Sequence, residues 1–387
     1  MKVAGLFAGI GGFEVGLERA GHRTILTCEN DTAATAVLHA RLDVPNHEDI
    51  RTLTSLPGEV GLICAGFPCQ DLSQAGALAG ILGGRSGLIT EVFRLMHGQR
   101  VPWVLIENVP FMLRLGGGAA LELIISNLEE LGYRWAYRVV NTHAFGLPQR
   151  RERVFLLASR RANPADVLLA DEVEIPEPQP QRRLRELAHG FYWTEGNRGL
   201  GWAVDAIPTL KGGSAIGIPA PPAILMPDGR IINPDIRDAE RLNGFDEDWT
   251  APAETAKRRS FRWSLVGNSV SVPVAAWIGH RLKNPGHYDR SRDKGRIGGR
   301  GWPKAARSWR GRRVEVKIST TPVSMTRPHL HDFLRYPGTP LSARATAGFY
   351  VRACRSSLRF TDGFLEAVAV HLEQVRGSER ATGRPNR

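Results

Sequence analysis

The chain has 387 residues, of which 42% are hydrophobic and 23% are charged, and this composition supports a buried core divided among two or three structural units. No apolar stretch approaches the roughly 20 residues of a membrane span, and residues 1–5 lead into a strand pattern instead of a secretory signal, so we expect a cytoplasmic protein without a membrane partner. The net charge is +12, and the four cysteines lack metal-type spacing, which argues against a disulfide scaffold and predicts no metal site.

The first 160 residues alternate short β-rich runs with longer segments of helical periodicity. The predicted strands are 3–7, 24–29, 62–65, 103–107, 134–141 and 153–158, and the predicted helices are 13–20, 32–42, 88–97 and 119–131. This alternation indicates an α/β fold with helices on both faces of a parallel or mixed sheet. Ligands of such sheets bind at the carboxyl ends of the strands, where Gly9, Glu29, Cys69 and Glu107 fall.

The periodic pattern fades after residue 160. The run 175–180, which alternates Pro with other residues, interrupts regular structure, so we expect a loop-rich insertion over 161–208. Helical patterns return at 235–242 and 270–282, and the Gly- and Arg-rich stretch Arg290–Arg300 predicts a linker.

The positive charge is concentrated in the C-terminal quarter. Residues 1–284 contain 30 Lys and Arg against 31 Asp and Glu, whereas residues 285–387 contain 21 against 8, a net charge of +13. Such an excess predicts contact with a polyanion such as nucleic acid. The alternative is a solvated, partly disordered tail, although its interspersed aromatic residues favour some folding.

A glycine-rich segment joins the first strand to the first helix. In residues 6–12, Leu-Phe-Ala-Gly-Ile-Gly-Gly, the glycines let backbone amides approach a ligand closely. Glu29 ends the second strand about 20 residues later, where an acid commonly binds a pair of ribose hydroxyls. The pattern indicates a nucleoside-containing cofactor and leaves hydride transfer and methyl transfer open.

Cys69 lies in the loop Gly66-Phe67-Pro68-Cys69-Gln70, directly after an apolar run. A lone cysteine is most often structural, but Pro68 restrains this backbone, and nearby guanidiniums would lower the pKa of a thiol held toward a pocket. Glu107 alone would be an ordinary helix cap or surface ion pair. Together, a thiol, a carboxylate and guanidiniums indicate attack on a polarised ring.

In their order along the chain, these segments resemble the DNA cytosine-5 methyltransferase family over most of residues 3–283. The matching segments are Phe7–Gly12 as the cofactor loop, Glu29-Asn30 and Asp49-Ile50 as ribose and adenine contacts, Gly66–Ser73 as the nucleophile loop, Gly87–Ile89 and Glu107–Val109 as the next two motifs, Gln149–Phe155 as the Q-x-R-x-R motif, Arg241–Phe245 as the motif after the recognition region, and Val266–Val270 as the last motif.

The resemblance implies a Rossmann-like methyltransferase sheet with a small target-recognition region, and the charge count adds a basic C-terminal extension. It divides the chain into a catalytic S-adenosylmethionine-binding domain (1–160), a target-recognition region (161–235), a return segment that completes the catalytic domain (236–284) and the extension (285–387). Because the recognition region offers few side chains to read a DNA groove, we hypothesise that the extension assists DNA binding.

The family's functional residues carry over to three groups of positions. The implied S-adenosylmethionine contacts are Phe7, Ala8, Gly9, Ile10, Gly11, Glu29, Asn30, Asp49, Ile50, Pro68, Leu88, Asn268 and Ser269. The implied DNA contacts are Gln70, Ser73, Thr209 and Leu210, of which Thr209-Leu210 would support a cytosine turned out of the duplex. The implied catalytic residues are Cys69, Glu107, Asn108, Arg151 and Arg153.

The implied reaction begins with attack of the Cys69 thiolate on carbon-6 of cytosine, while Glu107 hydrogen-bonds the ring nitrogen and the exocyclic amine. Carbon-5 then takes the methyl group, and loss of its proton and of the cysteine restores the aromatic ring. In this scheme Arg151 and Arg153 hold the base carbonyl and the backbone near the flipped nucleotide, and Asn108 orders the loop around Cys69.

Three alternatives come from other classes. A nicotinamide or flavin oxidoreductase would use Gly9–Gly12 and a redox Cys69, but it leaves Glu107 unexplained. A relative acting on transfer RNA is expected to carry threonine after the cysteine, so Gln70 favours DNA. A catalytically silent DNA-binding protein is hard to reconcile with an intact set of catalytic residues.

The resemblance implies a monomer that acts on double-stranded DNA and associates with the nucleoid. The sequence leaves open whether it protects DNA against a cognate restriction endonuclease, defends a phage or places an orphan mark.

Overall fold

The computed structural model describes residues 1–67, 87–173, 184–196, 199–213, 220–297 and 301–382. The strands, in chain order, are β1 (Lys2–Leu6), β2 (Arg23–Cys28), β3 (Asn46–His47), β4 (Val60–Ala65), β5 (Trp103–Asn108), β6 (Arg134–Asn141), β7 (Gln149–Arg150), β8 (Glu152–Ser159), β9 (His189–Phe191), β10 (Trp202–Val204), β11 (Ile207–Pro208), β12 (Ala223–Leu225), β13 (Ile231–Asn233), β14 (Asp293–Arg296), β15 (Ala305–Trp309), β16 (Arg312–Val316) and β17 (Thr339–Pro340).

The α-helices are numbered in the same way. They are α1 (Gly12–Arg19), α2 (Thr32–Arg41), α3 (Ile89–Gly98), α4 (Ala119–Glu130), α5 (Ala165–Leu168), α6 (Ile236–Leu242), α7 (Arg262–Asn268), α8 (Val272–Lys283), α9 (Leu330–Phe333), α10 (Ala343–Cys354) and α11 (Phe364–Thr382). Short 3-10 segments cover Pro110–Leu113, Leu115–Gly118, Thr142–Phe145, Ala251–Thr255, Arg259–Phe261 and Arg290–Arg292.

The chain forms two units, each assembled from three separate segments. The first unit contains Met1–Ala144, Glu152–Ile175 and Ser269–Ser324, and the second contains Phe145–Arg151, Pro176–Asn268 and Met325–Arg387. No helix in the described ranges is both long and apolar enough to cross a membrane.

Among the described residues, the first unit is built on a ten-stranded mixed sheet with the order β14-β16-β15-β6-β8-β5-β4-β1-β2-β3. The strands β3, β2, β1, β4 and β5 are parallel. Parallel neighbours need crossover connections, and α1, α2 and α3 provide them from β1 to β2, from β2 to β3 and from β4 to β5. The other neighbours pair antiparallel. The predicted α/β fold is confirmed.

The expectation of a linker at Arg290–Arg300 is wrong for part of that stretch. Asp293–Arg296 forms β14, and β15 pairs antiparallel with β6, so β14, β15 and β16 extend the sheet by three strands. Two charged residues of β14 pair with residues of β15 and β16: Asp293 holds the buried guanidinium of Arg307, and Lys294 lies 3.3 Å from the Glu315 carboxylate. These partners are distant in sequence, so the glycine- and arginine-rich composition of 290–300 did not indicate a strand.

The second unit contains, in its described part, a five-stranded antiparallel sheet with the order β10-β9-β12-β13-β17. Its core joins residues of this sheet to α10 and α11, and its members include Phe191, Ile231, Phe349, Phe364 and Val368. The segment 161–208, which was expected to be loop-rich, contains the short strands β9, β10 and β11. Because α10 and α11 lie within residues 325–382, this C-terminal stretch contributes to the core of the unit.

The basic excess of residues 285–387 is shared between the two units. Residues 285–324 carry 11 Lys and Arg against 3 Asp and Glu, and residues 325–387 carry 10 against 5, for net charges of +8 and +5. Deletion of everything after Lys283 would remove three strands of one sheet and part of another core, so such a truncation would test folding before it tested DNA binding. The assistance of this region to DNA binding stays a prediction.

Phe364 provides a direct test of the second core. Its ring is fully buried and lies 5.5 Å from the ring of Phe191 and 4.9 Å from the ring of Phe360. We expect Phe364→Ala to lower the free energy of unfolding by about 3–5 kcal/mol through lost burial and a residual cavity. Leu358→Ala, at a 36% exposed side chain, is the control and should change it by less than about 0.5 kcal/mol in denaturant titration. Equal effects of the two changes would contradict this core.

Candidate active site

The carboxyl ends of three parallel strands meet at one edge of the first unit's sheet. Leu6 of β1 lies opposite Ala65 of β4, and Ala65 lies opposite Ile106 of β5. The residues that follow these positions are therefore neighbours. The Phe7 and Phe67 rings make an edge-to-face contact with their centroids 6.3 Å apart, which joins the loops after β1 and β4.

The glycine-rich loop after β1 turns in the left-handed region of backbone space. Gly9 has φ 56° and Gly11 has φ 86°, while Phe7 adopts φ 57° although it carries a side chain. The Glu29 carboxylate accepts hydrogen bonds from the Gly9 N–H and the Asp31 N–H, each at 2.8 Å. This carboxylate thus fixes the loop to the end of β2, where a ribose-binding acid was predicted.

The predicted cofactor residues of the first unit surround this edge. Phe7, Ala8, Gly9, Glu29, Asp49 and Leu88 are partly exposed, Asn30 is exposed, and Ile10, Gly11, Ile50 and Ser269 are buried. Ser269 borders the start of α1, since a Cβ on Gly12 would lie 2.8 Å from its hydroxyl. Asn268 belongs to the second unit, where it packs against Gly212. Pro68 lies outside the described residues, and all these cofactor contacts stay predictions.

Glu107 and Arg153 come together at the same edge. They lie near the junction of β5 with β8, in which Glu107 is opposite Phe155. The Arg153 Nε lies 3.1 Å from the Glu107 Oε1, and both side chains are largely buried. A guanidinium at this distance from a carboxylate of low exposure forms a strong, directional ion pair. The pairing provides a fixed acidic group together with a donor for a polar ring.

Asn108 ties β5 to the loop that was predicted to carry the nucleophile. Its buried Nδ2 donates to the Phe67 carbonyl at 3.0 Å, and its Oδ1 accepts from the Val109 N–H at 2.9 Å. The two bonds hold the beginning of the Gly66–Ser73 loop beside Glu107. Cys69, Gln70 and Ser73 lie outside the described residues, so their roles stay predictions.

Two cysteines of the described ranges, Cys28 and Cys64, are poorly suited to nucleophilic attack. Cys28 and Cys64 are buried, whereas Cys354 is exposed and belongs to the second unit. Burial raises the pKa of the Cys28 thiol to about 12 and the pKa of Cys64 well above its ordinary value. Such thiols rarely ionise near neutral pH.

Arg151 lies in the second unit, where it holds backbone carbonyls. Its buried Nη1 donates to the Leu210 carbonyl at 3.0 Å and to the Gly267 carbonyl at 3.1 Å. Thr209 is partly exposed and donates its hydroxyl to the Arg150 carbonyl, while the Leu210 side chain is only 2% exposed. Arg151 therefore stabilises the segment that contains Thr209-Leu210, and contact of this pair with DNA stays a prediction.

Further residues anchor the same segment and carry no motif that would have indicated them. The Tyr192 hydroxyl donates to the Thr209 carbonyl, and the Lys211 ammonium lies 3.9 Å from the centre of the Tyr192 ring and 3.1 Å from the Glu195 carboxylate. Gln149, which the Q-x-R-x-R motif did indicate, accepts from the Leu210 N–H at 3.0 Å. These contacts join residues distant in sequence and become visible only in the folded unit.

Glu14 is a buried acid in the first turn of α1. Its side chain occupies space that the missing Cβ of Gly5 leaves open, and neither carboxylate oxygen has a hydrogen-bond partner from another residue in the described part of the chain. Burial raises the pKa of Glu14 from 4.5 to about 7. The acid is therefore largely protonated at slightly acidic pH, directly behind the glycine-rich loop.

Comparison with known proteins places these features in context. Residues 1–210 match the family described as C-5 cytosine-specific DNA methylase. The chain is 45% identical over 380 residues to the type II methyltransferase M2.BsuMI of Bacillus subtilis (strain 168), a match that covers 95% of this chain and 97% of that protein. It is 27% identical over 311 residues to the type II methyltransferase M.DsaV of Dactylococcopsis salina, covering 73% of this chain and 86% of that protein.

A solved structure gives a more distant likeness. The Entamoeba histolytica methyltransferase EhMeth superposes with a TM-score of 0.50 at 14% identity, over 73% of this chain and 98% of that chain. This likeness bears on the fold alone.

The buried Glu14 predicts a specific pH dependence of stability. Between pH 4.5 and about 7 the unfolded chain loses this proton while the folded chain keeps it, so the free energy of unfolding should fall by about 3 kcal/mol as the pH rises. Glu14→Gln should remove that fall. Glu48→Gln, at an exposed position of the same unit, is the control and should retain it in denaturant titrations across this range. Parallel pH profiles for wild type and Glu14→Gln would contradict the burial of an unpaired acid.

Proposed function

Because the chain belongs to the C-5 cytosine-specific DNA methylase family, we propose that it transfers a methyl group from S-adenosylmethionine to carbon-5 of a cytosine extruded from duplex DNA, through a transient bond to Cys69. The family resemblance drawn from the motifs is thereby confirmed, and the protein is a DNA (cytosine-5-)-methyltransferase. The cofactor, the extrusion of the base and the cysteine adduct form the proposal.

The chemistry at the edge of the sheet fits S-adenosylmethionine. The carboxylates of Glu29 and Asp49 and the ring of Phe7 are partly exposed after three parallel strands, and Gly9 offers an open backbone with no atom within 4 Å of a hypothetical Cβ. Carboxylates at such positions bind ribose hydroxyls, and glycine backbone permits close approach of a ligand. The bound cofactor supplies an electrophilic methyl group on a sulfonium.

The ion pair between Glu107 and Arg153 is the observation that supports the reaction most directly. Cytosine carbon-5 is a poor nucleophile, so the ring must first gain electron density. In the proposed step, the Cys69 thiolate forms a bond to carbon-6 while Glu107 hydrogen-bonds the ring nitrogen and the exocyclic amine. The Arg153 guanidinium, 3.1 Å from Glu107, orients that carboxyl group and provides donors for the base carbonyl.

The reaction closes with a balanced elimination. The residues that follow β1, β2 and β3 would hold S-adenosylmethionine, which would supply the methyl group to carbon-5 and would keep the bonding electrons as a neutral thioether. Loss of the carbon-5 proton to solvent and cleavage of the bond between Cys69 and carbon-6 then restore the ring double bond and the thiolate. Asn108 supports both covalent steps because its bond to the Phe67 carbonyl holds the start of the nucleophile loop.

The target atom is inaccessible in stacked duplex DNA, so the cytosine must be turned out at a cost of a few kcal/mol. We propose that the segment with Thr209 and Leu210, whose backbone is fixed by Arg151 and Gln149, supports the DNA in that state. The relatives M2.BsuMI and M.DsaV are named type II methyltransferases, and we infer the same role here, with a cognate restriction endonuclease as the partner.

Two substitutions test the roles of the thiol and the carboxylate. We expect Cys69→Ala to abolish transfer of labelled methyl groups from S-adenosylmethionine to duplex DNA, because no bond to carbon-6 can form. Glu107→Gln should slow the same transfer by about 10²- to 10⁴-fold, since the amide replaces a proton-exchanging group.

The matched control is Cys354→Ala, the same change at an exposed cysteine of the second unit, which should transfer at the wild-type rate. Retention of more than about one tenth of the wild-type rate by Cys69→Ala would contradict the proposed nucleophile.

A further inference from the structure

Asp205 is a buried aspartate in the turn between β10 and β11. It is 6% exposed and adopts φ 52°, a left-handed conformation that is uncommon for a residue with a side chain. Its N–H donates to the Ala188 carbonyl at 2.8 Å. A strained and buried acid of this kind persists only where surrounding contacts stabilise it.

Those contacts come from the C-terminal segment, more than 120 residues away in sequence. The Arg327 Nη2 donates to Asp205 Oδ2 at 3.0 Å, the His329 Nδ1 lies 2.9 Å from the same oxygen, and the Leu330 N–H donates to Oδ1 at 2.8 Å. The Arg327 Nη1 also donates to the Asp205 carbonyl at 2.6 Å. Burial opposes ionisation, but the Leu330 N–H, His329 and Arg327 together hold the pKa of Asp205 below its usual range.

The turn that contains Asp205 has little freedom to move independently of the Thr209-Leu210 segment. The Gly190 N–H of β9 donates to the Ala206 carbonyl, and a Cβ on Gly190 would lie 2.6 Å from that oxygen and from the Ile207 Cα, so the two backbones are in close contact. β11 contains two residues, pairs in parallel with β7 and leads directly into Thr209. A displacement of the backbone at Asp205 should therefore also displace Thr209, which lies only four residues farther along the chain.

We propose that Asp205 is a positioning residue through which Arg327 and His329 hold the Thr209-Leu210 segment in the conformation that receives DNA. The C-terminal residues act in DNA recognition by this route, as a clamp inside the second unit, and need no contact with DNA of their own. The inference rests on the proposed function, because it assumes that the Thr209-Leu210 segment contacts DNA.

The effect of breaking the clamp follows from the burial of the acid. Without Arg327, Asp205 keeps two partners on its carboxylate but loses a charge-assisted hydrogen bond and the hydrogen bond to its carbonyl. Burial of the acid then costs more free energy, which favours movement of the turn toward solvent. Glu107 and Arg153 belong to the first unit, whereas this turn and its partners belong to the second. The substitution should therefore affect the use of DNA much more than the chemical step.

The test compares Arg327→Ala, Arg327→Lys and His329→Gln in steady-state methylation of duplex DNA. We expect Arg327→Ala to raise the KM for DNA about tenfold, with kcat and the KM for S-adenosylmethionine within about twofold of wild type. Arg327→Lys should bring the KM for DNA most of the way back to the wild-type value, because it restores a positive charge beside the Asp205 carboxylate. Arg230→Ala is the matched control: it removes an exposed pair with Asp228 in the same unit and should leave the KM for DNA unchanged.

A wild-type KM for DNA in both Arg327→Ala and His329→Gln would overturn the proposal, as would a fall in kcat without a change in KM. If Arg327→Ala fails to fold, His329→Gln decides alone, since its side chain is 44% exposed and its loss should be tolerated. A wild-type protein that methylates no DNA would contradict the proposed function instead, before any variant is compared.

Discussion

The in-register parallel pairing of β1, β4 and β5 is the constraint on which the active site depends. Because Leu6 lies opposite Ala65 and Ala65 lies opposite Ile106, the carboxyl ends of these three neighbouring strands meet at the same edge of the sheet. This register brings together the glycine-rich loop, the beginning of the nucleophile loop and Glu107, and the Phe7–Phe67 contact and the Asn108 hydrogen bond hold them there. A shift of one residue in β5 would turn Glu107 to the opposite face of the sheet and separate it from Arg153.

The basic C-terminal quarter contributes to the structures of both units. Part of it adds β14, β15 and β16 to the first sheet, and the remainder completes the core of the second unit. Several of its arginines are engaged in ion pairs within their own unit, as Arg307 is with Asp293, Arg313 with Glu129 and Arg327 with Asp205. A net positive charge therefore need not mean a free surface for a polyanion.

The sequence predicted the elements of the first 160 residues well because their signals are local. Helical periodicity and β-branched runs are properties of adjacent residues, and the observed bounds of β1, α2 and β5 differ from the predicted ones by at most one residue. β9, β10 and β14 escaped prediction, since strands of three or four residues carry little periodicity and are fixed by partners distant in sequence. The same limit applies to the site: the motifs indicated Glu107 and Arg153, but nothing local indicated that Arg151 would hold the carbonyls of Leu210 and Gly267 or that Arg327 would reach Asp205.

The proposed reaction depends on a temporary covalent bond between the Cys69 sulfur and carbon-6 of cytosine. A duplex that carries 5-fluorocytosine at a site the protein methylates tests it directly, because fluorine at carbon-5 cannot leave as a proton does and the elimination is blocked. In the presence of S-adenosylmethionine, the wild-type protein should form a complex with this DNA that survives denaturing electrophoresis, and Cys69→Ala should form none. A wild-type protein that methylates the unmodified site but never becomes attached to the fluorinated one would contradict the account.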